Sequence, residues 1–122
     1  LLIENKMKKV IYLCVVFGIF ACNENPVKKP KNLLDEETME NILFDVAVLQ
    51  ATKANSPDVL QVNNIDSKDF IYKKYEIDSA TYHQNNRYYA GDVRKHKHMY
   101  KRILARLEEL SHKKSADLNN LK

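Results

Sequence analysis

Histidine is the residue type in this chain best suited to metal or acid–base chemistry, and it occurs four times. His96 and His98 are two residues apart, which places them on different sides of a helix. Two imidazoles that share a zinc ion on a helix stand four residues apart. The helical wheel places His96 among apolar side chains, as expected for a core histidine, and His83 and His112 are isolated. We therefore expect no metal site.

Sequence motifs that build catalytic or phosphate-binding sites are missing. There is no H-E-x-x-H, G-x-S-x-G, P-loop or D-x-D-x-D-G pattern, and the single glycine after residue 21 is Gly91. Phosphate-cradling loops need several glycines, so that class of site is excluded. Acidic residues are numerous, but no pair of them marks a pocket. We expect a non-catalytic protein that uses no cofactor.

Cys22 is the residue whose surroundings predict a specific chemistry. Two lysines follow Met7, an apolar run of eleven residues comes next, and Ala21 precedes the cysteine. This is the order of a secretory signal peptide. The run would form a helix of about 16 Å, roughly half of the hydrocarbon core of a membrane. Ile-Phe-Ala-Cys is similar to a bacterial lipobox, so we expect cleavage before Cys22 and a lipid on its sulfur.

Segment boundaries follow from this interpretation. Residues 1–6 lack signal features and are expected to be an upstream extension, and residues 7–21 are the expected lipoprotein signal peptide. Residues 22–32 contain prolines and lysines but no apolar cluster, which predicts a flexible lipidated tether reaching roughly 30 Å. Residues 33–114 are the expected folded domain, and residues 115–122 are a flexible tail.

Removal of residues 1–21, the leader, changes the net charge and the number of cysteines. It removes three of the 20 basic and one of the 16 acidic residues, so the formal charge falls from +4 to +2. Cys14 leaves with the leader, so the remaining chain cannot form an internal disulfide. About 100 residues remain, enough for one domain with a modest core.

Apolar spacing predicts helices throughout this domain. Asp35 can cap a helix that ends near residue 54, with apolar residues at intervals of three and four. Residues 55–66 show no sustained period and are expected to be a loop. Two short helices should follow, capped by Asp66 or Ser67 and by Asp78.

The last predicted helix, residues 92–114, has the longest apolar stripe. Its members are Val93, Met99, Tyr100, Ile103, Leu104, Leu107 and Leu110. No alternating β-branched segments bounded by turns are present, so strands are not expected. The predicted fold is all-α, a small helical bundle of about four helices, two long and two short, behind the signal peptide and the tether.

Four blocks of the chain resemble a known family. They are PKNLLDEETMENILFDVAVLQA, IYKKYEID, NNRYYAGD and MYKRILARLEEL. They are similar to the successive blocks of small Bacteroidota lipoproteins called domain of unknown function 4296. The resemblance covers nearly all of the chain after Cys22 and implies an exported, all-helical protein, with no catalytic residues to carry over. A glycine often follows K-Y in that family; Glu76 stands here, which argues against a left-handed turn.

Tyrosines are clustered, with six of the seven between residues 72 and 100. Tyrosine suits both a packed core and a recognition surface. The spacing favours core positions for Tyr75, Tyr82, Tyr89 and Tyr100. Tyr88, together with Arg87, is better placed to contact a partner.

Basic residues follow one face of the last helix. At 100° per residue, five of them lie opposite the centre of the apolar stripe: Arg94, Lys95, Lys101, Arg102 and Arg106. They form either an ordinary solvated surface or a patch for anionic headgroups, acidic glycans or an acidic protein. An exported protein rarely meets nucleic acid, so we expect no nucleic-acid binding.

Phe44 and Val48 lie on the side of the first domain helix opposite its main stripe. A helix with one buried face does not need them. Either this helix is sandwiched between other helices, which we favour, or the two side chains contact a partner.

Two functions fit these features. The first is a lipid-anchored accessory or scaffold subunit of a cell-envelope complex, with a protein partner, on the periplasmic face of the outer membrane. The second is a periplasmic binding module for an anionic envelope ligand such as peptidoglycan or a glycolipid.

Overall fold

The computed structural model describes residues 1–18 and 25–121. Within these ranges the chain forms helices and no strands, as predicted. The helices are α1 (Leu2–Gly18), α2 (Glu36–Asn55), α3 (Pro57–Val62), α4 (Ser67–Tyr75), α5 (Ser79–Gly91) and α6 (Val93–Asn120).

Helix α1 contains the first part of the expected signal peptide. Its side chains are exposed as far as Val15, the last one described. In the described ranges, no helix has the length and apolar character that crossing a membrane requires.

Aspartates start the main helices of the domain. The carboxylates of Asp35, Asp66, Asp78 and Asp92 accept hydrogen bonds of 2.7–3.0 Å from backbone N–H groups in the first turns of α2, α4, α5 and α6. A carboxylate in this position satisfies orphan donors and complements the positive end of the helix dipole. The caps predicted at Asp35, Asp66 and Asp78 are therefore confirmed.

The bundle is centred on α2, which contacts α3, α4 and α6, while α5 packs against α6. Met39, Tyr89 and Met99 form the buried centre where α2, α5 and α6 meet, with Leu33, Leu34, Leu43, Tyr82 and Tyr88 around them. Ile42, Leu60, Ile71 and Ile103 are also buried. The core is small because many of the predicted stripe residues of α6 lie outside it.

The predicted count of four helices is wrong. Besides α1, the structure adds α3 inside the expected loop 55–66. Pro57 occupies the first turn of α3, where its missing N–H costs nothing and its fixed φ favours the helix. Six residues are too few for an apolar period to be recognised.

The last helix is also longer than predicted. It runs to Asn120 and so includes residues assigned to a flexible tail. Every residue from Glu108 to Leu121 is exposed, so this half of α6 extends beyond the bundle.

Glu76 ends α4 in the left-handed conformation, with φ 52° and ψ 42°. The argument from Glu76 against a left-handed turn at this position is therefore wrong. The amides of Glu76 and Ile77 both bond to the carbonyl of Tyr72, so the turn closes the helix end despite the cost of a β-carbon.

Candidate functional site

The segment from Asn25 to Leu34, here called the strap, is attached to α5 by a buried asparagine. Asn85 is fully buried. Its side-chain nitrogen donates to the carbonyl of Asn32 at 2.8 Å and to that of Thr81 at 2.9 Å, and its side-chain oxygen accepts from the Leu34 amide at 2.8 Å. The Tyr89 hydroxyl donates to the Leu34 carbonyl at 2.6 Å. The end of the strap is therefore fixed.

The beginning of the strap lies on the end of α5. Asn25 donates to the carbonyl of Tyr88 at 2.7 Å, and its side-chain oxygen accepts from the Val27 amide at 3.0 Å. Both side chains lie directly over Gly91. A methyl group at Gly91 would stand 2.6 Å from Val27 Cγ2 and still closer to Asn25 Oδ1. Gly91 is therefore required for close approach of the strap, a role that the sequence analysis missed.

These contacts correct the prediction of a free tether over residues 22–32, because the part from Asn25 onward is held against the domain. Composition suggested flexibility, since the segment has prolines and lysines but no apolar cluster. The attachment instead uses backbone groups, which composition does not reveal. Cys22, the expected lipidation site, lies outside the described residues.

Arg102 and Arg106 face α2 rather than lying free on an outer surface. Arg102 donates to Glu36 and to Glu40, each at 2.6 Å. Arg106 donates to Asn41 at 2.9 Å and places its guanidinium 4.1 Å from the ring centre of Phe44. Both arginines were expected on a face opposite the apolar stripe, either solvated or open to an anionic partner. Instead both bond to side chains of α2, while the Arg102 side chain remains 48% exposed.

The cause is that α6 does not pack on the bundle through the middle of its apolar stripe. Seven residues separate Met99 from Arg106, so at 100° per residue they are only about 20° apart, whereas Leu104 is about 140° from Met99. Met99 is fully buried and Leu104 is 57% exposed. The contact face is thus centred nearer to Arg106 than to the middle of the stripe.

Phe44 and Val48 are both half-buried. Because the Arg106 guanidinium covers one face of the Phe44 ring, Phe44 is neither a fully sandwiched core residue nor a free apolar contact. The pair therefore offers a partner less apolar surface than its spacing suggested.

The remaining partner-binding candidates separate into two groups. Arg87, Arg94, Lys95 and Lys101 are exposed. Tyr88 instead packs against the core, edge-on to Tyr89 with 5.5 Å between ring centres. Its side chain is half-buried and its carbonyl holds the strap, so Tyr88 has a structural role.

Two of the expected core positions are more exposed than predicted. Tyr100 is 44% exposed, and His96 is half-buried with its ring 4.4 Å from that of Tyr100. Tyr89 is buried as expected, while Tyr75 and Tyr82 are half-buried.

Burial raises the pKa of the Tyr75, Tyr82 and Tyr89 hydroxyls above the ordinary tyrosine value, and the hydrogen bond that Tyr75 donates to Asp45 at 2.7 Å adds to the effect. These hydroxyls stay protonated at neutral pH.

A groove of about 900 Å³ lies between the C-terminal half of α2, α3, α4 and the start of α5. Its apolar lining residues are Val46, Leu49, Leu60, Ile65 and Ile71, and its aromatic ones are Tyr72, Tyr82 and His83. Amide side chains (Gln50, Gln61 and Asn64) and charged ones (Lys53, Asp66 and Lys68) complete it. This groove was not predicted, because α3 forms one of its walls and residues 55–66 were expected to be a loop.

Metal-binding chemistry has no candidate in residues 1–18 and 25–121, where no three His, Cys, Asp or Glu side chains are grouped suitably. The groove contains a single histidine and a single carboxylate. The Asp66 carboxylate is already occupied, because the amides of Asp69 and Lys68 donate to it and lower its pKa. The arrangement suits binding more than acid–base catalysis.

Comparison with known proteins gives one match. No curated protein and no solved structure matches the chain significantly. Residues 30–113 match the family described as a domain of unknown function, DUF4296. The match begins within the strap and ends in the exposed half of α6, so it spans the whole bundle. Since it covers more than half of the chain, this protein belongs to the DUF4296 family.

Proposed function

We propose that this protein is a non-catalytic accessory subunit of a cell-envelope complex, anchored through lipid on Cys22 to the periplasmic face of the outer membrane. The anchor is supported by the signal-like residues 7–21 and by the cysteine that follows them. The accessory role is supported chiefly by one observation, the exposed leucine face of α6.

That face continues beyond the bundle without a covering element among the described residues. Leu104, Leu110 and Leu118 are 57%, 46% and 56% exposed. They lie within about 120° of arc around the helix, so they form one apolar stripe. Where an amphipathic helix extends beyond its own bundle, its apolar stripe can pack against an apolar helix of another protein.

Charges on the same segment specify the partner further. Glu108 and Glu109 precede the centre of the exposed half of α6, and Lys113 and Lys114 follow it. Glu109 and Lys113 pair with each other at 2.8 Å, which leaves Glu108 and Lys114 free of ion pairs among the described residues. The proposed partner is therefore a protein helix with an apolar face, a basic residue opposite Glu108 and an acidic residue opposite Lys114.

Site-specific crosslinking in intact envelopes tests this partner. A photoreactive residue at Leu110 should give a discrete adduct with a second envelope protein. The crosslinked peptide of that protein should have the amphipathic pattern described above. Leu118→Lys, one end of the same stripe, should abolish the adduct, while Lys101→Ala should leave it. An adduct only with a second copy of this chain, or one insensitive to Leu118→Lys, would refute the accessory role.

The anchor has its own test. Cys22→Ser should abolish incorporation of radiolabelled fatty acid and release the protein from the membrane fraction. Unchanged labelling and fractionation would show that Cys22 is not the lipidation site.

The groove favours a second function, a binding module for an anionic envelope glycan. Its tyrosine rings can stack on sugar faces, its amides can bond hydroxyls, and Lys53 and Lys68 can pair with carboxylates. Soluble peptidoglycan fragments should then quench tyrosine fluorescence, and Lys53→Glu should weaken the binding more than Lys73→Glu on exposed α4. Absence of any response at millimolar fragment would exclude this alternative.

A further inference from the structure

The position of the strap limits how far the domain can stand from the proposed lipid. Asn25 is bonded to Tyr88 and lies over Gly91. Two residues lie between it and Cys22, which makes three steps along the chain. An extended chain spans at most about 3.6 Å per step, so the two positions are within about 11 Å of each other. The stand-off of roughly 30 Å expected for a free tether is not available.

The same contacts determine which part of the domain is near the lipid. Gly91 is the last residue of α5, and Val93 is the first residue of α6. Val93 is 79% exposed, and Arg94 and Lys95 beside it are exposed. The attachment point of the strap is therefore adjacent to the first turn of α6, whose exposed residues are Val93 and the two cations that follow it.

Further cations surround this point. Lys28 and Lys29 follow Val27 directly and are exposed, and Arg87 is exposed one residue before the Tyr88 carbonyl that holds Asn25. The nearest acid along α6 is Asp92, whose carboxylate is engaged by the Lys95 amide at 3.0 Å. In contrast to Arg102 and Arg106, none of these five cations has an ion-pair partner within the described residues.

We propose that Lys28, Lys29, Arg87, Val93, Arg94 and Lys95, here called the anchor face, rest on an anionic lipid surface. The proposal depends on lipidation of Cys22. A covalent link of at most about 11 Å keeps the anchor face near the headgroups, a distance comparable to the Debye length of roughly 8 to 10 Å over which cations are attracted to anionic lipid. Val93 lies at the interface as a small apolar contact. Helix α6 then begins at the membrane, and its leucine stripe, up to about 40 Å along the helix, is available to a partner.

Depth-dependent quenching tests this orientation. The lipidated chain after cleavage has no free thiol, so single substitutions Val93→Cys and Lys114→Cys each give one labelling site. The labelled proteins are reconstituted in vesicles of phosphatidylglycerol and phosphatidylethanolamine that carry a headgroup quencher. We expect at least threefold stronger quenching at position 93 than at position 114, with equal helical content in both variants. Equal or reversed quenching would overturn the proposed orientation.

Charge reversal separates a membrane contact from simple proximity. In the Val93→Cys background, Arg94→Glu should at least halve the quenching, and so should 0.5 M salt, whereas Lys114→Glu at the far end of α6 should leave it unchanged. Quenching insensitive to Arg94→Glu and to salt would show that the anchor face does not recognise anionic lipid.

Flotation distinguishes this proposal from the anchor on which it depends. If the proteins fail to float with vesicles and incorporate no fatty acid, lipidation at Cys22 is wrong and the orientation falls with it. If they float but the label at position 93 is not preferentially quenched, the anchor stands and the anchor face alone is refuted.

Discussion

The side-chain nitrogen of Asn85 lies 2.8 Å from the carbonyl oxygen of Asn32, 53 residues earlier in the chain. Together with the hydrogen bond that Asn85 accepts from the Leu34 amide, this contact fastens the strap to α5. A fully buried polar side chain is stable only when its groups are bonded, and every described buried side-chain nitrogen and oxygen has a partner.

Replacing Asn85 with alanine should therefore be costly. The Leu34 amide and the Asn32 carbonyl would lose their partner, and each such group costs about 1 to 3 kcal/mol. We expect the free energy of unfolding to fall by about 2 to 4 kcal/mol in urea denaturation of the Cys22→Ser protein. Gln84→Ala, an exposed neighbour, should change it by less than about 0.5 kcal/mol. Similar values for the two variants would contradict the fastening.

Gly91→Ala should release the beginning of the strap while leaving α5 intact. The added methyl group would collide with Asn25 and Val27, yet alanine is the residue most favourable to a helix. Trypsin should consequently cleave after Lys28 and Lys31 faster than in the parent protein, without loss of helical circular dichroism. Ala90→Gly, which loosens the helix but adds no atom beneath the strap, is the matched control and should not increase cleavage at those lysines.

The Phe44 and Arg106 pair should show an intermediate stability effect. Truncation of a fully buried phenylalanine costs about 3 to 5 kcal/mol, so half-buried Phe44→Ala should cost about 1.5 to 2.5 kcal/mol. A double-mutant cycle with Arg106→Ala should give a coupling of about 0.5 to 1 kcal/mol from the guanidinium on the ring. Phe44→Ala without measurable loss would return Phe44 to the class of free partner contacts.

The capping aspartates should make stability depend on acid. Hydrogen bonds from Thr38 to Asp35, from the Asp69 and Lys68 amides to Asp66, and from Thr81 to Asp78 lower the pKa of these carboxyls. A lowered folded-state pKa contributes stability above the unfolded value of about 3.9, and this is lost as the pH falls through the folded-state pKa. Asp66→Ala should lower the melting temperature at pH 7 and have a smaller effect near pH 2. An equal shift at both values would show that the charge is unimportant.

Glu76→Gly should stabilise the protein. A β-carbon in the left-handed region costs about 1 to 2 kcal/mol, and the greater flexibility of glycine in the unfolded chain offsets part of this. We expect a gain of about 0.5 to 1 kcal/mol in the free energy of unfolding. Glu37→Gly, in the first turn of α2, should instead lower it, and a loss at both sites would mean that Glu76 is held by more than its backbone bonds.

Features that depend on neighbouring residues were predictable from the sequence. Asp35, Asp66 and Asp78 cap the helices that they were expected to cap, because capping depends only on the next three residues. The starts of α2, α4 and α5 follow from the same signals. Tyr89 was correctly placed in the core, since its face of α5 is defined within one helix.

Features that depend on where another helix lies were not predictable. A helical wheel gives the angle of Arg106 around α6, but only the position of α2 decides that Glu40 and Phe44 meet that angle. Leu104 belongs to a valid apolar stripe and is nevertheless exposed, because the bundle contacts α6 some 140° away at Met99. The groove and the strap were missed for the same reason, since each is formed by segments distant in sequence.

The strap also orders events during synthesis. Its bonds join residues 51 to 63 positions apart, so they cannot form until α5 has been made. Such long loops close slowly compared with the local turns that start each helix. Since the N-terminus is synthesised first, the residues before Leu34 stay unattached to the domain while about fifty more residues are added to the chain. The proposed cleavage and lipidation at Cys22 would fall within that interval, before the strap is bonded to α5.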